Sequence, residues 1–183
     1  MIRMIKHYFM GRSRERKYRE FISLLKPSHD TTILDVGVAD NEYSPFDNYL
    51  EKKYPFPDKI TALSIYPLEE FKKRYPRVKT VTYEGEKFPF KDKEFSIIFS
   101  NAVIEHVGGF SEQVDFIREM NRCAFSFYFT TPAREAPLEM HTNYPFIHWL
   151  PQTSRDRFLE RRGKSWATGN YINLLMSVQL KVK

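Results

Sequence analysis

The sequence predicts an α/β fold in which a doubly wound, mostly parallel β-sheet is covered by helices on both faces. Short runs of β-branched and aromatic residues alternate along the chain with segments of helical period, the order that parallel β-α-β units produce. The run FSIIFSNA, residues 95–102, is apolar on both faces, as a strand between two helical layers must be. The length of 183 residues suits one domain with a real hydrophobic core.

The first half of the chain begins with a helix and then alternates. Residues 13–26 place apolar side chains at helical spacing, and Pro27 ends the run. Three strand patterns follow, at 31–38, 60–66 and 78–84. Between them, residues 43–58 predict a short helix and a loop, and residues 67–75 predict a short helix.

The second half continues the same alternation. Residues 95–102 predict a fourth strand, and 111–123 predict a well-patterned helix with Ser111 as its N-cap. FSFYFTT, residues 125–131, predicts a fifth strand. In the tail, SVQLKVK alternates as a strand does.

The composition excludes several kinds of protein. One cysteine, Cys123, excludes an internal disulfide and a thiolate metal cluster. We find no signal peptide and no apolar window long enough to span a membrane, so a cytoplasmic location is expected. A net charge of +6 reflects two basic clusters, which we interpret as solvated helix faces: Arg12, Arg14, Arg16, Lys17 and Arg19, then Arg155, Arg157, Arg161, Arg162 and Lys164. Nucleic acid is not an expected partner, because no nucleic-acid-binding signature accompanies the charge.

A turn follows the first strand in TTILDVGVAD, residues 31–40. In a doubly wound sheet, ligands bind at the carboxyl ends of the strands. Gly37 lacks a Cβ there, so the backbone can approach a ligand closely. Asp35, at the strand end, is placed to accept hydrogen bonds from the loop or from a bound ammonium group. The strength of this signal comes from the motifs that follow it in order.

Together these motifs resemble those of class I S-adenosylmethionine-dependent methyltransferases, in particular the small-molecule branch called methyltransferase type 11. The resemblance rests on three segments: ILDVGVAD, ITALSIY and VTYEGEKFPFKDKEFSIIFSNAVIEHVG. The last stretch is the most specific: Glu84, then Phe88-Pro89-Phe90, a charged turn, a buried strand and Glu105-His106-Val107. The resemblance covers roughly residues 30–175.

The resemblance implies a single methyltransferase-like domain over residues 1–183 with a Rossmann-like sheet. Its predicted parts are an N-terminal helical segment, a cofactor-binding core and a lid or substrate-side segment: 1–27, 30–132 and 133–183. A complete methyltransferase sheet has seven strands, whereas only five are placed here. By resemblance, NLLMSVQL matches a helix that precedes the sixth strand, and we favour this over a strand in the tail. In either case the final hairpin is expected to be missing. An uncovered fifth strand is an exposed edge, which needs either a partner subunit in a homodimer or the tail itself.

S-adenosyl-L-methionine is the cofactor that the resemblance implies. Asp35 and Gly37 would hold the first turn against its methionine and ribose, and Glu84 would contact the adenine amino group. Gly85 and Glu86 would supply loop backbone, and Asn101 and Ala102 would border the sulfonium. The implied cofactor-binding set is Asp35, Gly37, Ala39, Tyr66, Glu84, Gly85, Glu86, Asn101 and Ala102.

Three positions depart from the family pattern. Ala39 replaces a glycine, and Asp40 either caps the following helix or faces solvent. Tyr66 stands where most relatives carry an acid that receives both ribose hydroxyls, and losing that charged contact corresponds to roughly ten- to hundredfold weaker cofactor binding. Glu69 or Glu70, just downstream, are candidates to replace it. These departures keep open a catalytically inactive fold that serves as a binding or assembly module.

Two histidines are candidate catalytic residues for in-line methyl transfer to a small-molecule acceptor. A general base helps only when the acceptor is a hydroxyl or a protonated amine. His106 lies beyond the fourth strand, where the alternative is that it packs under the loop. His141 lies in MHTNYPFIHWLP, whose aromatic residues and prolines are typical of a lid over an apolar pocket, or alternatively of a satellite core.

No metal site is predicted from the sequence. Asn101 and Val103 add no obvious ligand to Glu105-His106. His141 and His148 would share a helix face, but Pro145 argues against a helix between them.

Overall fold

The computed structural model describes residues 2–139, 141–169 and 171–175. Within them lies a five-stranded sheet made of β1 (Ile33–Val36), β2 (Ile60–Ser64), β3 (Lys79–Thr82), β4 (Phe95–Asn101) and β5 (Ala124–Thr130). The first and last residues of each strand lie within two residues of the predicted bounds. The α/β fold class is therefore confirmed.

The strand order is β3-β2-β1-β4-β5, with β1 at the centre. β1 pairs in parallel with β2 and with β4, and β2 pairs in parallel with β3. At the end of β1, Val36 lies opposite Leu63 on one side and Ser100 on the other. The chain runs outward from β1 in both directions, so β1 marks the switch point at whose carboxyl end doubly wound sheets bind ligands.

The described residues also form five α-helices, besides short 3₁₀ turns: α1 (Ile2–Leu25), α2 (Tyr49–Lys53), α3 (Glu69–Arg74), α4 (Phe110–Cys123) and α5 (Gln152–Arg161). α1 begins well before the predicted start at residue 13. The added stretch holds no proline and only one glycine, Gly11, which an α-helix tolerates at a cost of about 1 kcal/mol. No described helix is both long enough and apolar enough to cross a membrane.

The predicted N-cap of α4 is wrong. The helix begins at Phe110, so Ser111 lies inside its first turn. The N–H of Gln113 donates to the carbonyl oxygen of Gly109 at 3.0 Å, so the helical hydrogen bonds already start at Gly109. Glycine is also an accepted N-cap residue, only slightly less favourable than serine, and here its carbonyl oxygen accepts the first helical hydrogen bond.

The described residues fall into two compact units, one within residues 1–100 and 119–129 and the other within residues 101–118 and 130–183. The first unit holds most of the sheet with α1, α2 and α3, and the second holds α5 and the segment that precedes it. Most of the tail prediction, helix or strand after residue 175, lies outside the described residues, and so does any closing hairpin formed there. Within the described part, β5 is an edge strand beside β4.

The core of the first unit is built around the buried strands and α1. All residues of β1 and β2 are buried. Phe21 of α1 is fully buried and packs edge-on against Phe99 of β4, with ring centroids 5.1 Å apart, and against Tyr128 of β5 at 5.8 Å. α1 is therefore part of the core.

Two carboxyl groups are buried in this unit. Asp35 of β1 and Glu51 of α2 are each 6% exposed, and the oxygens of Glu51 have no hydrogen-bond partner among the described residues. Burial raises the pKa of Asp35 well above its usual value, and the neighbouring Glu51 raises it further. Burial also raises the pKa of Glu51, to about 7. The pair therefore retains a proton near neutral pH, because two adjacent buried carboxyl groups cannot both ionise easily.

We expect Phe21→Ala to lower the free energy of unfolding by about 3–5 kcal/mol, because a fully buried ring leaves a cavity. Leu24→Ala is the control on the same helix; its side chain is 63% exposed, so its loss should be less than about 1 kcal/mol. Urea unfolding followed by circular dichroism measures both. Similar losses in the two variants would mean that Phe21 does not anchor α1.

Glu51→Gln should change how stability depends on pH. An acid with a raised folded-state pKa stabilises the folded state below its unfolded pKa of 4.5 and loses that contribution as the pH rises towards about 7. Relative to Glu51→Gln, the wild type should lose on the order of 3 kcal/mol between about pH 5 and about pH 8. Urea unfolding across that range tests this, with the exposed Glu94→Gln as control. Parallel profiles for wild type and Glu51→Gln would contradict the raised pKa.

Candidate functional site

The turn after β1 is held in a glycine-specific conformation. Gly37 has a φ of 90°, in the left-handed region that side chains disfavour, and its N–H donates to the carbonyl oxygen of Leu63 at 2.8 Å. The amide of Asn48 clamps Ala39, accepting from its N–H at 3.0 Å and donating to its carbonyl oxygen at 2.8 Å. Ala39 does not have a positive φ, so the backbone conformation at this position does not need a glycine.

Asp40 caps a helix. Its Oδ1 accepts hydrogen bonds from the backbone N–H groups of Glu70 at 2.8 Å and Phe71 at 2.9 Å, so it satisfies two free donors in the first turn of α3. The sequence predicts that Asp40 either caps the following helix or faces solvent. It does cap a helix, but the prediction is wrong about which one, because the capped helix is α3 and not α2. This contact joins the loop after β1 to the helix after β2.

The loop after β2 carries the unusual tyrosine. Tyr66 is 68% exposed, and its N–H donates to Ser64 Oγ at 3.1 Å. The two acids considered as replacements pair with lysines on α3: Glu69 with Lys72 at 3.0 Å and Glu70 with Lys73 at 2.6 Å. These ion pairs are solvent-exposed and weak, so they do not prevent either acid from contacting a ligand.

The loop after β3 holds Glu84, Gly85 and Glu86, all exposed. Gly85 has a φ of 94°, and a Cβ added to it would lie 3.5 Å from Ile65 Cγ2. The loops after β2 and β3 are therefore neighbours. The loop after β1 contacts both elements that flank the loop after β2, because Gly37 bonds to Leu63 of β2 and Asp40 caps α3. The side chain of Asp35, in β1, is buried. The loops after β1, β2 and β3, all in the first unit, carry six of the predicted residues: Gly37, Ala39, Tyr66, Glu84, Gly85 and Glu86.

An arginine and a glutamate hold the Phe88-Pro89-Phe90 motif. Arg122 donates to the carbonyl oxygens of Phe88 at 3.0 Å and Phe90 at 2.7 Å. Glu119 accepts from the N–H of Phe88 at 2.9 Å and pairs with Arg122 at 2.7 Å. The hydrogen bond from Arg122 lowers the pKa of Glu119. The motif is thus fixed by two side chains of α4 that the sequence interpretation missed.

In the second unit, the residues that end β4 are constrained by the end of β5. Thr130 Oγ1 donates to Asn101 Oδ1 at 2.7 Å, and the N–H of Ala102 donates to the carbonyl oxygen of Thr130 at 2.7 Å. Ala102 has a φ of 60°, a left-handed conformation that costs a non-glycine residue about 1 kcal/mol. Strained residues of this kind cluster at functional sites.

Glu105 and His106 form a short 3₁₀ turn after β4. Glu105 is fully buried, and its Oε2 accepts from Thr131 Oγ1 at 2.9 Å. Its Oε1 is buried with no hydrogen-bond partner among the described residues. His106 is exposed, which is inconsistent with packing under the loop, and its Nδ1 lies 3.2 Å from the carbonyl oxygen of Tyr171.

His141 is held by a buried carboxylate. Glu139, which is 3% exposed, accepts from the backbone N–H of His141 at 2.8 Å and from its Nδ1 at 2.7 Å. The other carboxylate oxygen accepts from the N–H and the hydroxyl of Thr142, both at 2.5 Å. Burial acts to raise the pKa of Glu139, but the hydrogen bonds from His141 and Thr142 outweigh it and lower the pKa to about 2. Glu139 is therefore ionised and fixes the His141 ring.

The two predicted catalytic histidines lie together, although 34 residues separate them in the sequence. Their ring centroids are 4.9 Å apart with an interplanar angle of 89°. The ring of Tyr171 lies 5.4 Å from His106, and Trp166 lies 5.4 Å from Tyr171. His106 and His141 thus share a cluster bordered by aromatic side chains.

The aromatic segment forms the predicted satellite core in part, and its role as a lid stays a prediction. Tyr144 packs edge-on against Phe158 at 5.0 Å, on a small core made of Ile147, Leu159 and Ala167. Phe146 and Trp149 are instead about half exposed. The satellite core is therefore confirmed for Tyr144 and not for Phe146 or Trp149.

Sequence reasoning missed Glu139, Thr131 and Asn48. Glu139 precedes His141 by two residues and Thr142 by three, a spacing at which an acidic side chain can accept from the following N–H groups. That spacing is the one signal that could have found it. Thr131 and Asn48 act through tertiary contacts, which the pattern of the sequence does not encode.

The fold is similar to solved methyltransferase structures. A "putative sarcosine dimethylglycine methyltransferase" from Galdieria sulphuraria aligns with a TM-score of 0.57 and 16% identity, over 90% of this chain and 57% of that one. A chain of the "complex between the Haloferax volcanii Trm112 methyltransferase activator and the putative methyltransferase" aligns with a TM-score of 0.54 and 9% identity, over 93% and 66%. This chain therefore spans less than two thirds of either structure. At these identities the likeness shows a shared fold.

No protein with a curated description matches the chain. Residues 34–125 match the family described as "Methyltransferase domain", a span of half the chain that runs from β1 into β5. The matched span contains the glycine turn, the loops after β2 and β3, and Glu105-His106. S-adenosyl-L-methionine is the cofactor of this group. The chain belongs to the class I S-adenosylmethionine-dependent methyltransferases.

Proposed function

We propose that this protein transfers the methyl group of S-adenosylmethionine to a small-molecule acceptor. The acceptor attacks the methyl carbon in line with the carbon–sulfur bond, and the bonding pair moves to sulfur to give neutral S-adenosylhomocysteine. Such a reaction needs alignment of the two substrates and exclusion of water more than it needs covalent help from the protein. The observation that carries the proposal is the set of joined loops after β1, β2 and β3, which includes the left-handed Gly37.

On the cofactor side, we assign Gly37 and the clamped Ala39 to the methionine and ribose. Glu84 would accept from the adenine amino group, and its exposure leaves it available to do so. Tyr66 would offer one hydroxyl to the ribose. Asp35 lies buried beside Glu51, so it supports the turn from below. The positions predicted for Asn101 and Ala102 beside the sulfonium stay predictions.

The acceptor side is proposed from the second unit alone. Four aromatic side chains there are about half exposed: Phe146, Trp149, Trp166 and Tyr171. Of these, Tyr171 lies beside His106 and Trp166 packs against Tyr171. Exposed rings next to an imidazole favour a small acceptor with an apolar body and one polar, proton-bearing group. A hydroxyl acceptor must lose its proton. His106 and His141 are the candidates to receive it, since each holds its Nδ1 hydrogen against an oxygen and leaves Nε2 as the basic atom.

Gly37→Val should abolish binding of S-adenosylhomocysteine, measured by isothermal titration, because a branched side chain would strain the turn and fill the space next to the cofactor. Gly163→Val is the matched control: it has a φ of 70°, and nothing lies within 4 Å of an added Cβ. It should keep wild-type affinity at similar backbone strain.

Two results would contradict this part of the proposal. Absence of heat for the wild type at about millimolar ligand would favour a catalytically inactive fold that serves as a binding or assembly module. Unchanged binding by Gly37→Val would show that the turn is not the cofactor site.

Glu84→Ala should weaken binding of S-adenosylhomocysteine roughly tenfold or more, the usual effect of losing a hydrogen bond to a charged group. Glu94→Ala removes another exposed carboxylate of the same unit and should leave the affinity unchanged. The same titration measures both. An equal effect of the two substitutions would indicate a general loss of negative charge and would remove Glu84 from the adenine site.

A further inference from the structure

We infer that Glu105, His106 and His141 form a binding site for a divalent transition-metal ion. Each offers one ligand atom, and the three atoms lie within 4.8 Å of one another. Two imidazoles and one carboxylate are a ligand set that zinc and other first-row metals accept. The sequence predicted no metal site because the third ligand, His141, lies far away along the chain.

The hydrogen bonds of both histidines favour this role. A carbonyl or carboxylate oxygen can only accept, so Nδ1 of His106 must donate to Tyr171, and Nδ1 of His141 must donate to Glu139. Each ring then carries its lone pair on Nε2, for which no hydrogen-bond partner is present among the described residues. Histidine ligands of metals are typically oriented in this way, by a carboxylate or carbonyl that binds the other ring nitrogen.

Glu105 provides an independent observation. It is fully buried, its Oε2 is held by Thr131, and its Oε1 has no hydrogen-bond partner within the described part of the chain. A buried carboxylate oxygen without a partner is costly, and native structures rarely leave one unexplained. A cation bound between Glu105 and the two histidines would supply the missing partner.

The geometry is close to that of a bound site. Ligand distances of about 2.0–2.1 Å place neighbouring ligand atoms roughly 3.4 Å apart in a tetrahedral site. The longest separation here, up to 4.8 Å, therefore requires the ligands to close by about 1 Å or somewhat more. His106 is exposed and lies on a short 3₁₀ turn, so it is the ligand best able to move.

Three protein ligands leave at least one coordination position open. Catalytic zinc sites share this feature, whereas structural zinc sites have four protein ligands. The exposed ring of Tyr171 lies beside His106, and Trp166 packs against Tyr171. An open position suits an oxygen ligand such as a hydroxyl or a carboxylate. If the proposed methyl transfer is correct, this oxygen belongs to the acceptor, and the ion would lower its pKa in place of an imidazole base. Binding of the ion does not itself depend on that function.

The test uses the full chain, stripped with a chelator and titrated with Zn²⁺ in competition with a chromogenic chelator, without S-adenosylmethionine. We expect one Zn²⁺ per chain. His141→Ala and the near-isosteric Glu105→Gln should each weaken the affinity about 100-fold or more, and Glu139→Gln, which removes the orienting carboxylate, about 10- to 100-fold. His148→Ala is the control, because His148 Nε2 bonds to the carbonyl oxygen of Arg134 and His148 lies outside the cluster.

Thermal unfolding distinguishes loss of the site from loss of the fold. Zn²⁺ should raise the melting temperature of the wild type and of His148→Ala but not that of His141→Ala. Absence of stoichiometric binding would overturn the inference. Binding that survives both His141→Ala and Glu105→Gln would also overturn it, since the ion would then lie elsewhere. The cofactor titration is separate, so either proposal can fail while the other stands.

Discussion

The parallel pairing of β1 with strands on both sides is the constraint on which the rest of the structure depends. β1 is only four residues long, yet all of them are buried and their backbone groups bond to β2 and β4. Parallel neighbours end at the same edge of a sheet. This pairing therefore places the chain after Val36 beside the carboxyl ends of β2 and β4, near Leu63 and Ser100. The glycine turn, the Asn48 clamp and the Asp40 cap all begin at this edge. A shift in register would displace them all together.

The buried carboxyl groups of this protein differ in their hydrogen-bond partners and therefore in their roles. Glu139 is ionised and accepts four hydrogen bonds, which fix the turn at residues 139–142 and the ring of His141. Asp35 and Glu51 face each other in the core and avoid the cost of two charges by keeping a proton. Glu105 is different, because Thr131 binds one of its oxygens, whereas the other has no hydrogen-bond partner in the part of the chain that the structure describes. Since burial is similar in all of them, only the partners decide whether such a group stabilises the fold or is available for chemistry.

The sequence predicted the sheet well because each strand is a compact apolar run whose burial leaves a local pattern. The early start of α1 and the glycine-led start of α4 were missed, since the residues there carry no strong signal of their own. On the cofactor side, Gly37 could be predicted because its conformation demands a glycine. The contact between His106 and His141 could not, because it joins two irregular segments and depends on tertiary folding alone. The same holds for Asn48 and Thr131.

The clamp that Asn48 places on Ala39 has a consequence for how a ligand would be received. A loop that is already ordered pays little conformational entropy when a partner arrives, so more of the contact energy remains as affinity. Alanine also restricts the unfolded chain more than glycine does, which favours the ordered loop before any encounter. At this position an alanine and the Asn48 clamp give the loop a rigidity that a glycine would not, so a ligand bound there would meet a loop that is already ordered.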